Sequence, residues 1–115
     1  MIAALAALLL SAPPAADAVV GLYVANQMEV GAGLELQANG RFRYALDYGA
    51  VSEGAEGRWT LNGTTIRLTS DTAPNDGERS PAVFRNQAVQ REGDLLLLPR
   101  YETVIRFRRA RPQGE

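Results

Sequence analysis

The segment Leu34 to Ser70, LELQANGRFRYALDYGAVSEGAEGRWTLNGTTIRLTS, decides the fold. Leu34 and Leu36 alternate with Glu35 and Gln37, and after Asn39-Gly40 the residues Phe42, Tyr44 and Leu46 alternate with Arg41, Arg43 and Ala45. A period of two places one side-chain set inward and the other outward, which is the signature of half-buried strands. Asn-Gly between two such runs predicts a hairpin with a type I′ turn, because both residues accept positive φ at low cost. The unit then repeats: Trp59 and Leu61 alternate with Arg58 and Thr60, Asn62-Gly63 turns the chain, and Ile66 and Leu68 alternate with Arg67 and Thr69.

The same period runs through the rest of the chain. Val20 to Val24 reads as a strand around Tyr23, and Ala82 to Arg91 as a strand with Val83 inward. Arg91 to Asp94 is a Glu-Gly turn, and Leu95 to Leu98 is a continuous apolar run of the kind covered on both faces or paired at a barrel closure. Thr103 to Arg109 is the last strand. Asp47 to Glu56 and Ser70 to Pro81 read as loops. About eight short strands with hairpin turns predict an all-β fold, a small antiparallel up-and-down meander closing into a barrel, with a β-sandwich as the alternative.

Residues Met1 to Ala18, MIAALAALLLSAPPAADA, stand apart from that pattern. An apolar run followed by Ala16-Asp17-Ala18 matches the h-region and small-x-small cleavage signal of a secretory signal peptide, and the run is shorter than the roughly 20 residues a membrane-spanning helix needs. The expected organisation is a helical signal peptide, 1–18, and one barrel domain, 19–115, located in the periplasm or secreted. With Asp17 removed, twelve Arg face twelve carboxylates, so no net field draws the mature domain to nucleic acid. There is no cysteine, hence no disulfide and no lipid-bearing residue to anchor the mature chain to a membrane.

His, Cys and Lys are all missing from the sequence. Ser-His-Asp and Cys-His catalysis, Schiff-base lysines, the phosphate-loop lysine and thiolate or imidazole metal sites each need one of them. The expectation is a protein that is not an enzyme and carries no cofactor and no metal. Carboxylates remain. Asp47, Glu53 and Glu56 suit a glycosidase only if two of them are held about 5–9.5 Å apart, and they read better as a solvated loop. Asp71, Asn75, Asp76 and Glu78 offer hard oxygen ligands but miss the calcium-loop spacing. Arg106, Arg108, Arg109 and Arg111 read as charges that keep a terminal strand soluble and block edge pairing.

Gly21-Leu22-Tyr23 opening a strand, LELQANGRFRY as a hairpin, and Gly57-Arg58-Trp59 followed by LNGTTIRLT resemble the lipocalin-like domains of small exported bacterial proteins. The pattern is also similar to the N-terminal barrel of NlpE-type copper-resistance lipoproteins, whose cysteines have no counterpart here. The resemblance implies a lipocalin-like barrel; the aromatic set Tyr23, Phe42, Tyr44, Tyr48, Trp59 and Phe107 reads first as its core, and the functional reading is an open mouth for a small apolar ligand with Tyr23, Tyr44 and Trp59 as the ligand-binding residues. The alternative reading is a cell-envelope structural or protein-interaction module that acts through a sheet edge.

Overall fold

Alternation carries nearly the whole chain into one antiparallel sheet. The computed structural model describes residues 14–71 and 79–110. A single helical turn, α1 (Pro14–Asp17), precedes β1 (Gly21–Gln27), β2 (Val30–Leu36), β3 (Arg41–Tyr48), β4 (Val51–Asn62), β5 (Thr65–Ser70), β6 (Ser80–Pro81), β7 (Gln87–Glu92), β8 (Leu95–Arg100) and β9 (Thr103–Arg109). Eight of these strands close an up-and-down barrel in the order β3-β2-β1-β9-β8-β7-β5-β4, with β4 returning to β3. Met1 to Pro13, the greater part of the expected signal peptide, lie outside the described residues.

Closure depends on β4, which is long enough to serve two neighbours. Its first part, Val51 to Arg58, pairs with β3, and its last part, Gly57 to Asn62, pairs with β5. Gly57 belongs to both ladders, and a Cβ there would collide with the backbone of Thr69 and Ser70 and lie 2.8 Å from the Phe42 ring. The two-residue β6 runs parallel to β4 beside Glu53 and Gly54, covering the edge that β5 leaves open.

The inward phase builds the core. Leu34, Leu36, Phe42, Leu46, Ile66, Leu68, Leu96, Leu98, Ile105 and Phe107 are fully buried. At one end, hereafter the helix end, Val19 plugs the barrel and the Tyr23 hydroxyl donates to its carbonyl at 2.9 Å. Arg109 lies over the Tyr23 ring at 4.9 Å and donates to Val20 O, Ala18 O and the Tyr23 hydroxyl, which fastens the entering chain to the last strand. At the opposite end, the loop end, Phe84 enters from the connection between β6 and β7. Its ring meets Tyr44 at 4.9 Å and Phe42 at 6.1 Å, edge to face.

Several sequence expectations change. Val83 is 60% exposed and Phe84 takes the interior, because Ser70 holds the Phe84 backbone on both sides and Asn86, at φ 54°, breaks the alternation before Val89 turns inward in β7. Asp47 to Glu56 is no loop: Tyr48 pairs with Val51, and only Gly49-Ala50 turns. Within the leucine run, Leu96 and Leu98 point inward while Leu95 and Leu97 are half-buried on the outer wall. Arg106, Arg108 and Arg109 do not guard an edge, since β9 is paired on both sides; Arg111 lies outside the described residues.

The turns also differ from expectation. Gly40 (φ 86°) and Gly63 (φ 65°) take positive φ, whereas their asparagines do not, so neither is a type I′ turn. In the first, Gly40 N donates to Gln37 O and Gln37 N to Arg41 O, a three-residue loop closed by a glycine bulge. The I′ pattern of two consecutive positive φ values falls instead on Tyr101 (56°) and Glu102 (60°), residue types that pay for that conformation with strain of about 1–3 kcal/mol each.

Candidate functional site

The three residues expected to bind a ligand each direct their polar atom to a partner inside the protein, and the register sets the inward Tyr23 and Tyr44 on either side of Leu34. Tyr23 caps the helix end as described. Trp59, also at that end, is buried and donates Nε1–H to Gln37 O at 2.9 Å. Tyr44 sits toward the loop end and donates its hydroxyl to Glu53 at 2.6 Å. Burial pushes both tyrosine hydroxyls up; at Tyr44 the Glu53 carboxylate adds to that rise, while at Tyr23 the Arg109 charge opposes it.

Tyr44 leads to a cluster absent from the sequence reading. Glu53 takes the inward phase of β4 and is 4% exposed, the one buried acidic residue among those described. Its carboxylate accepts from Arg100 Nε at 2.6 Å, Arg100 Nη2 at 2.9 Å, Tyr101 OH at 2.6 Å and Tyr44 OH at 2.6 Å. Burial pushes the carboxyl up, but these bonds and the Arg100 charge more than offset it and hold the group below the usual carboxylate range. Arg100 in turn stacks over Phe84 and Tyr101, 5.1 Å from each ring centroid, and Tyr48 meets Tyr101 edge to face at 5.7 Å. The cluster therefore ties β3, β4, the β8–β9 turn and the Phe84 connection together across the barrel mouth.

Such a cluster is chemically saturated. Each carboxylate oxygen already accepts two hydrogen bonds, and no buried side-chain polar atom is left without a partner among the described residues. Asp47 and Glu56 stand on the opposite face of the sheet from Glu53, paired with Arg79 at 2.9 Å and Arg43 at 3.7 Å, so the three acids share no site. Asp71 is held by Arg41 through two hydrogen bonds, and Asn75, Asp76 and Glu78 lie outside the described residues. Among the described residues no three His, Cys, Asp or Glu side chains converge as metal ligands would.

A concavity of ligand size lies outside the barrel. A groove of about 490 Å3 crosses the outer wall of β1 to β4. Strand register explains it: Gly33, Ala45 and Gly54 form one row across three strands, and residues this small leave a trough where larger outward side chains would stand. Leu22, Glu35, Arg43 and Glu56, the next row, make one bank. Asp71, Arg79, Pro81 and Ala82 make the other side, and Arg79 is fixed there by Asp47, Ser52 Oγ and Leu46 O. An apolar floor with a few charged groups on the rim suits a small amphipathic molecule.

Sequence reasoning missed this cluster because it places Glu53 in a loop and Phe84 on the outward phase of a strand whose Val83 faces inward, and gives Arg100 no role. The available signal was parity, since a β4 that begins at Val51 puts Glu53 in phase with Trp59. The groove left a fainter signal, the small residues Gly33, Ala45 and Gly54 at outward positions. No family model, curated protein or solved structure matches the chain.

Proposed function

We propose that this chain is a non-catalytic, exported binding domain of lipocalin-like architecture whose small-ligand site is the groove outside the barrel. One observation carries the reading: the interior is filled by buried side chains and stoppered by Val19 and Phe84, while a trough of about 490 Å3 with an apolar floor lies open on the wall. That volume falls in the range of about 300–1,000 Å3 used by small-molecule sites. Export is supported by the apolar run and by Ala16-Asp17-Ala18, directly after which the barrel core begins at Val19. The absence of His, Cys and Lys and the internal pairing of Glu53, Asp47 and Asp71 favour binding over catalysis. A module acting through a sheet edge has less support, because closure pairs the strands on both sides.

The test fills the trough. Isothermal titration with dodecanoate, dodecylamine and dodecanol should give saturable binding of at least one, and Ala45→Phe should abolish it while leaving the melting temperature within a few degrees. Trp59 emission should stay constant, since the indole faces the interior, bonded to Gln37 O, and does not line the groove on the outer wall. Binding that survives Ala45→Phe, or that shifts Trp59 emission, overturns the external site.

A further inference from the structure

Large apolar side chains are exposed unevenly. Besides Leu22 and Val24 on the outer wall of β1, the exposed ones are Met28, Val51, Val83 and Tyr101. Met28 lies in the β1–β2 turn, Val51 starts β4, Tyr101 is in the β8–β9 turn and Val83 is in the connection after β6, so all four belong to the loop end. The turns of the helix end, at residues 37–40, 63–64 and 93–94, hold small or polar residues instead. Met28 is 89% exposed and adds nothing to the core.

Three of these residues form one surface with Tyr48. Gln27 pairs with Val30, Val30 with Tyr48, and Tyr48 with Val51, which sets the β1–β2 and β3–β4 turns side by side. The Tyr48 ring meets that of Tyr101, and the Gln27 side chain bonds Val104 O and Arg106 N, which draws in the β8–β9 turn. The surface is held rigid from below, because the Tyr101 hydroxyl is bound to Glu53. A preformed apolar tip loses little side-chain freedom when it is covered.

Charge says what covers it. Glu29 and Glu102 occupy the second position of their turns, and neither makes a hydrogen bond or ion pair among the described residues. Of the cations at this end, Arg100 is engaged by Glu53 and Arg79 by Asp47, while Arg85, in the connection after Val83, is exposed and pairs with no carboxylate among the described residues. Arg106 stands farther along β9, on the outer wall. We infer that the loop end is a docking surface for a protein segment that presents apolar side chains flanked by basic ones. Met28, Val51 and Tyr101 supply the apolar contact, and Glu29 and Glu102 set the sign of the partner. The same two carboxylates repel an anionic lipid surface and a second copy docked end to end.

The test uses the full domain labelled with 15N and three probes: a twelve-residue peptide alternating Leu and Lys, its Leu and Glu counterpart, and phosphatidylcholine vesicles. The Lys peptide should shift the amides of Met28, Glu29, Val51, Tyr101 and Glu102 saturably, with affinity falling at least about tenfold as salt rises from low to high ionic strength. The Glu peptide should not. Glu29→Lys with Glu102→Lys, which leaves both turns occupied by non-glycine residues as before, should reverse the preference. Met28→Ser should weaken binding at least about fivefold while the remaining spectrum reports an intact fold. Equal response to both peptides, no response to either, an unchanged preference after charge reversal, or shifts confined to the groove overturn the inference. Vesicle binding through the same residues that exceeds peptide binding also overturns it and makes the tip a membrane contact.

Discussion

Glu53→Ala is the substitution that most directly probes how this barrel is held shut. The carboxylate accepts four hydrogen bonds, from Arg100 Nε and Nη2, Tyr101 OH and Tyr44 OH, all between 2.6 and 2.9 Å. Removing one partner of a buried ion pair costs about 3–5 kcal/mol, most of it from groups left unpaired. Here the cost divides unequally. Tyr101 is exposed and Arg100 reaches the mouth, so both can turn to water, whereas the buried Tyr44 hydroxyl cannot and alone accounts for about 1–3 kcal/mol. The low end, about 3 kcal/mol, is therefore expected, a fall in melting temperature of about 12 °C or more for a domain this small. Urea denaturation followed by Trp59 emission measures it. Glu53→Leu combined with Arg100→Leu should destabilise less than the two single changes added together, by at least about 1 kcal/mol, because the double variant leaves no uncompensated charge. A loss below about 1 kcal/mol for Glu53→Ala, or strict additivity in the cycle, would show a solvated carboxylate and refute the latch.

Further outcomes follow from the same geometry. The carboxyls of Glu53, Asp47 and Asp71 are held below their ordinary values in the folded protein, so the stability they add is present above about pH 4 and lost as pH falls through the lowered folded values. Urea midpoints should be flat from pH 7 to 5 and fall below about pH 4, less steeply in Glu53→Gln; a midpoint unchanged down to pH 3 contradicts this. Gly57→Ala should destabilise by about 3 kcal/mol or more, since its Cβ meets backbone on two sides, and a normal melting curve would mean the β4 crossover is misplaced. Arg109→Met removes the stacking on Tyr23 and the hydrogen bonds to Val20 O and the Tyr23 hydroxyl, the one to Ala18 O existing only before the proposed cleavage, and should cost about 2 kcal/mol with hydrogen-exchange protection lost first around Val19 to Tyr23. Uniform loss of protection would mean the helix end is not a separate cap.

What could be read in advance was whatever the two-residue period controls. Phe42, Tyr44 and Leu46, Trp59 and Leu61, and Ile66 and Leu68 all face inward as alternation demands, and closure follows because about eight such strands twist until the first meets the last. Where the reading failed, a residue outside the period decided. Asn86 at positive φ reset the parity, so Val83 and Phe84 exchanged places. Glu53 was assigned to solvent because an acidic residue in a Gly- and Ala-rich run resembles a loop. Only the partners arriving from β3 and from the β8–β9 turn, 9, 47 and 48 residues away in sequence, make its burial favourable. No local pattern contains that information.

These long-range partners also explain why the strained turn is where it is. Tyr101 and Glu102 adopt the I′ conformation without a glycine, asparagine or aspartate, while Gly49, Gly63 and Gly93 meet the positive-φ requirement of other two-residue turns at little cost. A residue with no Cβ at position 101 would relax the backbone and lose the hydroxyl that reaches Glu53 and the ring that meets Tyr48. The hydrogen bond to an ionised acceptor, about 1.5–3 kcal/mol at most, is comparable to the strain of about 1–3 kcal/mol at that position, so the turn relies on the latch and not on its own sequence. The same ring, locked from beneath, is part of the exposed apolar tip. Closing the barrel and presenting that tip are thus two effects of one side chain. Tyr101→Gly should consequently act twice, opening the mouth and flattening the surface, whereas Tyr101→Phe should loosen the latch and leave the apolar surface in place.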